Sequence, residues 1–245
     1  MENTNAISIP LVDVLSELLG KRVVMSDNKY IEFDTLKEVP SADIRTAEAL
    51  KVEKEREILK EKYIKQANKS QTLEEARKQL TEYLYQDVFN HWYATKWSFE
   101  GHTETPKQGT IACGYFVSTT LRDVGFKLNR YKLAQKSPED EAKVIACGTS
   151  IEKLQNVSKQ ELKKYFLKQK DGIYFIGLDF HVGYIYKNNQ EVYFIHSNYI
   201  ENKGVMKETI ENSKAIVSSK YYITSITHND NLIKKWLLKV IVTTN

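Results

Sequence analysis

The sequence predicts an α+β protein in which an antiparallel sheet packs against a helix beginning at Cys113, with a mainly helical extension over residues 1–71 ahead of a larger domain at 72–245. Three observations predict it. From Gly172 onward the chain turns β-rich and aromatic, with Ile173–Leu178, Val182–Tyr186 and Val192–Ile195 as antiparallel strands. The segment Asp179–Asn198 reads as a β-hairpin: with Asn188-Asn189 as a type I′ turn, Lys187 pairs with Gln190 and His181 faces His196. Upstream, Phe116, Val117, Thr120, Leu121 and Val124 follow Cys113 at helical spacing, and Gly125 supplies a stop.

The elements follow in chain order. Met1-Glu-Asn-Thr-Asn-Ala6 lacks the basic start of a secretory signal, and the site of action stays open on sequence alone. Leu11, Val14, Leu15 and Leu18 form the stripe of a short amphipathic helix, with Pro10 in its first turn and Gly20 at its C-cap; it is too short and too charged to span a membrane. Ser41–Lys69 mixes Ala47, Leu50, Ile58, Leu59, Tyr63 and Ile64 with Glu and Lys, the pattern of a long exposed helix supported by i,i+4 charge pairs. Its stretch 47–69 is a candidate surface for a protein partner. After a break at Ala67–Gln71, Thr72-Leu-Glu-Glu75 matches a capping box, and Leu73, Ala76, Leu80, Leu84 and Val88 extend the helix that it opens.

Aromatics then cluster at Trp92, Tyr93, Trp97 and Phe99, ahead of a turn-rich loop over Gly101–Gly109 that carries His102. Between the Cys113 helix and the hairpin, residues 127–170 read as mostly helical: Ser137-Pro138 caps one helix and Ser158-Lys-Gln-Glu161 is a second capping box. Beyond the hairpin, Ala215–Ser218 and Tyr221–Ile226 are further strand candidates, and Asn229–Leu238 a closing helix.

The chemistry concentrates on three residues. A cysteine in the first turn of a helix sits among unpaired N–H groups and the positive end of the helix dipole, which favour a thiolate. Two imidazoles on one sheet face are close enough for one to orient the other. Cys147 has no histidine pointing to it and reads as a structural thiol. His91, His102 and His228 show no zinc spacing, so no metal or cofactor is expected. The net charge of +4 is mild and the lysines are scattered among glutamates, a poor footprint for nucleic acid.

Cysteine at a helix start, a His-Val-Gly-Tyr-Ile strand and a Phe-Ile-His-Ser strand together resemble the NlpC-type superfamily of papain-like cell-wall endopeptidases and amidases. The likeness covers roughly residues 93–200. It differs from many members in Ala112 and Gly114, where those carry aspartate and serine, and in Trp97-Ser-Phe-Glu-Gly101, a looser form of their aromatic-x-aromatic-Gly-Gly stretch. The resemblance implies a papain-like fold with Cys113 as nucleophile, His181 as base and His196 as its orienter. With it comes hydrolysis of amide bonds in peptidoglycan stem peptides through a thiolate–imidazolium pair, and a groove walled by Trp97, Phe99 and His102. A bulge in the hairpin would make Asn198 the orienter instead. The same residues suit an acyltransferase or thioesterase, and a papain-like fold can also persist as a non-catalytic binding module.

Overall fold

The computed structural model describes residues 8–32, 37–38 and 41–244, so the expectation for Met1–Ala6 lies outside the described residues. The chain is a mixed α+β protein with antiparallel sheets, and it divides into two compact units, residues 1–75 and 76–245.

In the first unit α1 (Leu11–Leu19) ends on Gly20, whose φ of 61° lets its N–H reach Ser16 O. Pro10 is the N-cap rather than the first helical residue. Val14 and Leu15 pack with Val23 and Ala47 into a small core. β1 (Val23–Ser26), β2 (Lys29–Glu32) and β3 (Lys37–Glu38) form an antiparallel ribbon absent from the sequence reading. Its signal was Asp27-Asn28, both at positive φ, the pair that a two-residue hairpin turn requires. α2 (Ser41–Lys65) is the expected charged helix, four residues shorter at its end, with Ala47 and Leu59 buried and Leu50, Ile58 and Ile64 exposed.

α3 (Lys69–Glu82) starts before the expected capping box. Thr72 therefore lies inside the helix, where it is fully buried and its hydroxyl donates to Gln66 Oε1. A π-helical stretch, Tyr83–Val88, leads into α4 (Phe89–Trp92) and turns Phe89 and Trp92 into the core.

The second unit continues with α5 (Cys113–Asp123), α6 (Arg130–Ala134), α7 (Pro138–Ala146), β4 (Glu152–Gln155) and α8 (Lys159–Leu167). Both expected caps are present: Ser137 accepts from Asp140 N–H, and Ser158 with Glu161 makes a full capping box. β5 (Gly172–Gly177), β6 (Val182–Asn188), β7 (Glu191–Asn198), β8 (Gly204–Thr209) and β9 (Lys220–Ser225) join β4 in a six-stranded antiparallel sheet, ordered β4-β9-β5-β6-β7-β8. α9 (Asp230–Leu237), capped by Asn229, closes the chain.

The sheet is covered on both faces, which is why every residue of β5 is buried. On one face Tyr184 meets α5: its ring packs against Phe116, and its hydroxyl donates to Val117 O and bonds Thr120 Oγ1 at 2.7 Å. On the other, Tyr174, Ile185 and Phe194 pack with Leu162 and Phe166 of α8. Ala215–Ser218 is not a strand. Ser213 Oγ accepts from Ile216 N–H and the Tyr221 hydroxyl donates to Ile216 O, so Ala215 and Ile216 enter the core from a turn while Val217 stays exposed. The edge strands β4 and β8 escaped the sequence because their polar residues break the apolar pattern.

Candidate active site

The hairpin pairs differently from its sequence expectation. Asn188 is a ladder residue opposite Glu191, and Tyr184 lies opposite Ile195, so the turn is Asn189-Gln190 and the register moves by two residues. The cause lies outside the hairpin. Asp171 Oδ1 accepts the Asn189 N–H and also binds Lys187 Nζ, fixing Asn189 at φ 53°. Continued toward His181, this register sets Asn198 opposite His181 and Gly183 opposite His196.

The histidines are diagonal rather than directly opposed, and they still share a face. They meet because Gly183 has no side chain: a Cβ there would fall 2.9 Å from His196 Cβ and 2.7 Å from the Phe194 ring. The His196 ring leans across that gap, stacked on Phe194 at 4.0 Å, and its Nδ1 lies 2.8 Å from His181 Nε2. Asn198 does not orient His181; its side chain bonds Ile200 N–H and Met206 Sδ. On the far side, His196 Nε2 lies 2.9 Å from Glu208 Oε1 of β8, a residue absent from the sequence reading. Both histidines are buried.

His181 just precedes β6, on the two-residue turn Asp179-Phe180, where Leu178 N–H donates to His181 O. The Asp179 carboxylate accepts from Ser219 N–H and Oγ, which holds that turn in place. The other half of the site comes through α5. Ile111 N–H donates to Lys96 O, Ala112 N–H to Gly101 O, and Ser197 Oγ to Ile111 O, so the segment before Cys113 is pinned to the sheet. Arg130, itself buried, donates to Thr119 Oγ1, His102 O and Glu104, tying the Gly101–Gly109 loop to α5. Gly114 is required by close packing, since a Cβ there would lie 2.6 Å from Ala134 O of α6.

Cys113 opens α5, whose N-cap Ala112 has no side chain to satisfy the first-turn N–H groups. Its thiol meets the Val182 N–H, so α5 reaches the sheet at the end of β6 beside His181, not over the face bearing the histidines. Cys113 and His181 line one groove of about 630 Å³, together with Trp97, Phe99, Tyr115, Phe180 and Tyr199. No described lining residue is Asp, Glu, Lys or Arg. Of the three expected groove residues, Trp97 and Phe99 line it, whereas His102 lies outside, its Nδ1 bonded to Glu100 O. The thiol and the His181 ring are not hydrogen-bonded to each other in this resting geometry.

Burial pushes the Cys113 thiol up to about 11, outweighing the backbone N–H groups of Val182 and Gly114 that favour the thiolate. Burial also drives His181 well below its usual value, and the neighbouring His196 adds to this. Both shifts favour the uncharged forms of the thiol and the imidazole. His196 is likewise lowered by burial, against the pull of Glu208. Glu208 is raised by burial, but the bonds from His196 and Ser213 outweigh it and hold the carboxyl below its ordinary value. Cys147 is the left-handed C-cap of α7, with its thiol donating to Val144 O, and both cysteines are free.

No helix of the described residues is long and apolar enough to cross a membrane. Comparison with protein-family models, curated proteins and solved structures finds no match to this chain.

Proposed function

We propose that the chain is a papain-like cysteine hydrolase of the NlpC type that cleaves amide bonds in peptidoglycan stem peptides. The observation that carries the reading is the joint presence, in one groove, of a thiol at the start of α5 and an imidazole whose far nitrogen is held by a second histidine. In the Michaelis complex His181 Nδ1, the nitrogen not engaged by His196, takes the Cys113 proton as sulfur attacks the amide carbon. The oxyanion is met by the first-turn N–H groups of α5. His181 then returns the proton to the leaving amine, and the C–N bond breaks to give a thioester. Water, deprotonated by His181, attacks that thioester, releases the acid and restores the thiol.

The test is mass spectrometry of muropeptides incubated with wild-type and Cys113→Ala protein. Fragments released by the wild type alone support the reading; their absence refutes the cell-wall substrate. A second reading, acyl transfer or thioester hydrolysis by the same residues, is favoured by the aromatic, uncharged lining of the groove, which suits an apolar acyl group better than a carboxylate-bearing stem. Transfer or removal of acyl groups from synthetic acyl thioesters, without muropeptide cleavage, would select it.

A further inference from the structure

We propose that Glu208 is a positioning residue that sets the tautomers of both histidines, so that the lone pair of His181 falls on the nitrogen turned to the thiol. The inference rests on the reading of His181 as the base. Three residues form one row across the sheet: Glu208 on β8, His196 on β7 and His181 immediately before β6. His196 lies opposite Met206 of β8 and, by extension of the hairpin register, opposite Gly183 of β6. Its ring therefore reaches diagonally in both directions, to Glu208 with Nε2 and to His181 with Nδ1, at 2.9 and 2.8 Å.

The proton positions follow from donor and acceptor chemistry. An ionised carboxylate only accepts, so His196 Nε2 must carry a hydrogen and donate it to Glu208. A neutral imidazole bears one N–H, which leaves His196 Nδ1 as an acceptor. His181 Nε2 must then be the donor across the 2.8 Å contact, and the His181 lone pair is left on Nδ1. Remove the carboxylate and nothing fixes this order: the His196 N–H can move to Nδ1, His181 Nε2 becomes the acceptor, and His181 Nδ1 acquires the proton that disables it as a base. The carboxylate also receives the Ser213 hydroxyl and feels the Lys203 charge, contacts that keep it ionised and aimed. When His181 becomes imidazolium during attack, the same row delivers an acceptor to its Nε2–H.

The experiment uses the protein with ¹⁵N-labelled histidine and reads tautomers from long-range ¹H–¹⁵N correlations, beside kcat and KM on purified muropeptides and on a synthetic acyl thioester. In the wild type both His181 and His196 should be Nε2–H tautomers; an Nδ1–H tautomer at either overturns the proposal with no variant needed. Glu208→Leu should move both rings toward Nδ1–H and lower kcat by about 10–100-fold with KM little changed. Glu208→Gln keeps an acceptor oxygen, so it should retain the tautomers and most of the turnover. A Glu208→Leu protein that keeps wild-type tautomers, or a Glu208→Gln protein as impaired as Glu208→Leu, refutes the assignment. The tautomer spectra need no turnover, so a wrong substrate reading leaves them intact and the two failures are separable.

Discussion

Replacing Gly183 with alanine perturbs a place where the histidine pair depends on an absent side chain. The added methyl would lie 2.7 Å from Phe194 Cε2, 2.9 Å from His196 Cβ and 2.9 Å from the Ile195 carbonyl oxygen. All three are inside van der Waals contact. Because one is backbone of the neighbouring strand, relief requires β7 to move rather than a side chain to swing. Overpacking of this kind costs about 1–3 kcal/mol, offset by about 0.4–1 kcal/mol because alanine narrows the unfolded ensemble. Gly183 is not in the left-handed region, so no backbone strain is added. A net loss of about 1–2 kcal/mol lowers Tm by roughly 2–8 °C for a chain of this size. The larger effect is local. His196 shares the clash, and a displacement on the order of 0.5 Å takes its 2.8 Å bond to His181 toward the limit of hydrogen bonding, with turnover falling about 10–100-fold. Thermal unfolding by circular dichroism and kcat are measured together. Gly148→Ala is the control: its φ of 82° imposes strain, yet nothing lies within 4 Å, so it should lower Tm and spare turnover. A Gly183→Ala protein with wild-type Tm and kcat would show that the close approach does not govern the site.

Other outcomes follow from the same geometry. Iodoacetamide should alkylate Cys113 at a rate climbing about tenfold per pH unit from pH 7 to 10, because its thiol is pushed up to about 11; a plateau below pH 8 would reveal a preformed thiolate. Cys113→Ala should abolish turnover, whereas Cys147→Ala should retain most of it. Glu141 is buried with Oε1 unpartnered, and burial raises its carboxyl well above the ordinary value. The folded protein thus keeps a proton that the unfolded chain releases, so stability falls as pH rises above the ordinary carboxylate range, by up to about 1.4 kcal/mol per pH unit. Glu141→Gln should flatten that slope and raise Tm at pH 7; a wild-type Tm constant from pH 5 to 8 would contradict it. Tyr184→Phe deletes a buried hydroxyl bonded to Val117 O and Thr120 Oγ1, and urea titration should read a loss of about 1–2 kcal/mol. Trp97→Ala should raise KM severalfold with little change in Tm, since its ring lines the groove beside Tyr199 at 6.3 Å; an unchanged KM would remove Trp97 from substrate contact.

By itself the sequence determined what local chemistry encodes. Helical periodicity behind Cys113 fixed the start of α5, Ser137-Pro138 and Ser158-Lys-Gln-Glu161 fixed two caps, and β-branched and aromatic runs fixed β5, β6, β7 and β9. The period of two also placed His181 and His196 on one face, a result that survives a register change of two residues because parity is unchanged. Tertiary structure decided the rest. Asn188-Asn189 offers a left-handed residue at either position, and only Asp171, brought alongside by β5, selected the turn. Glu208 reached His196 because an edge strand with no apolar signature of its own was recruited by β7, and strand pairing over that distance leaves no local trace in the chain. The electrostatic balance at the thiol and the imidazole was likewise beyond the sequence: the helix start favours a charged thiolate, but the desolvation that opposes it exists only once the groove, the sheet and α5 have closed around both groups.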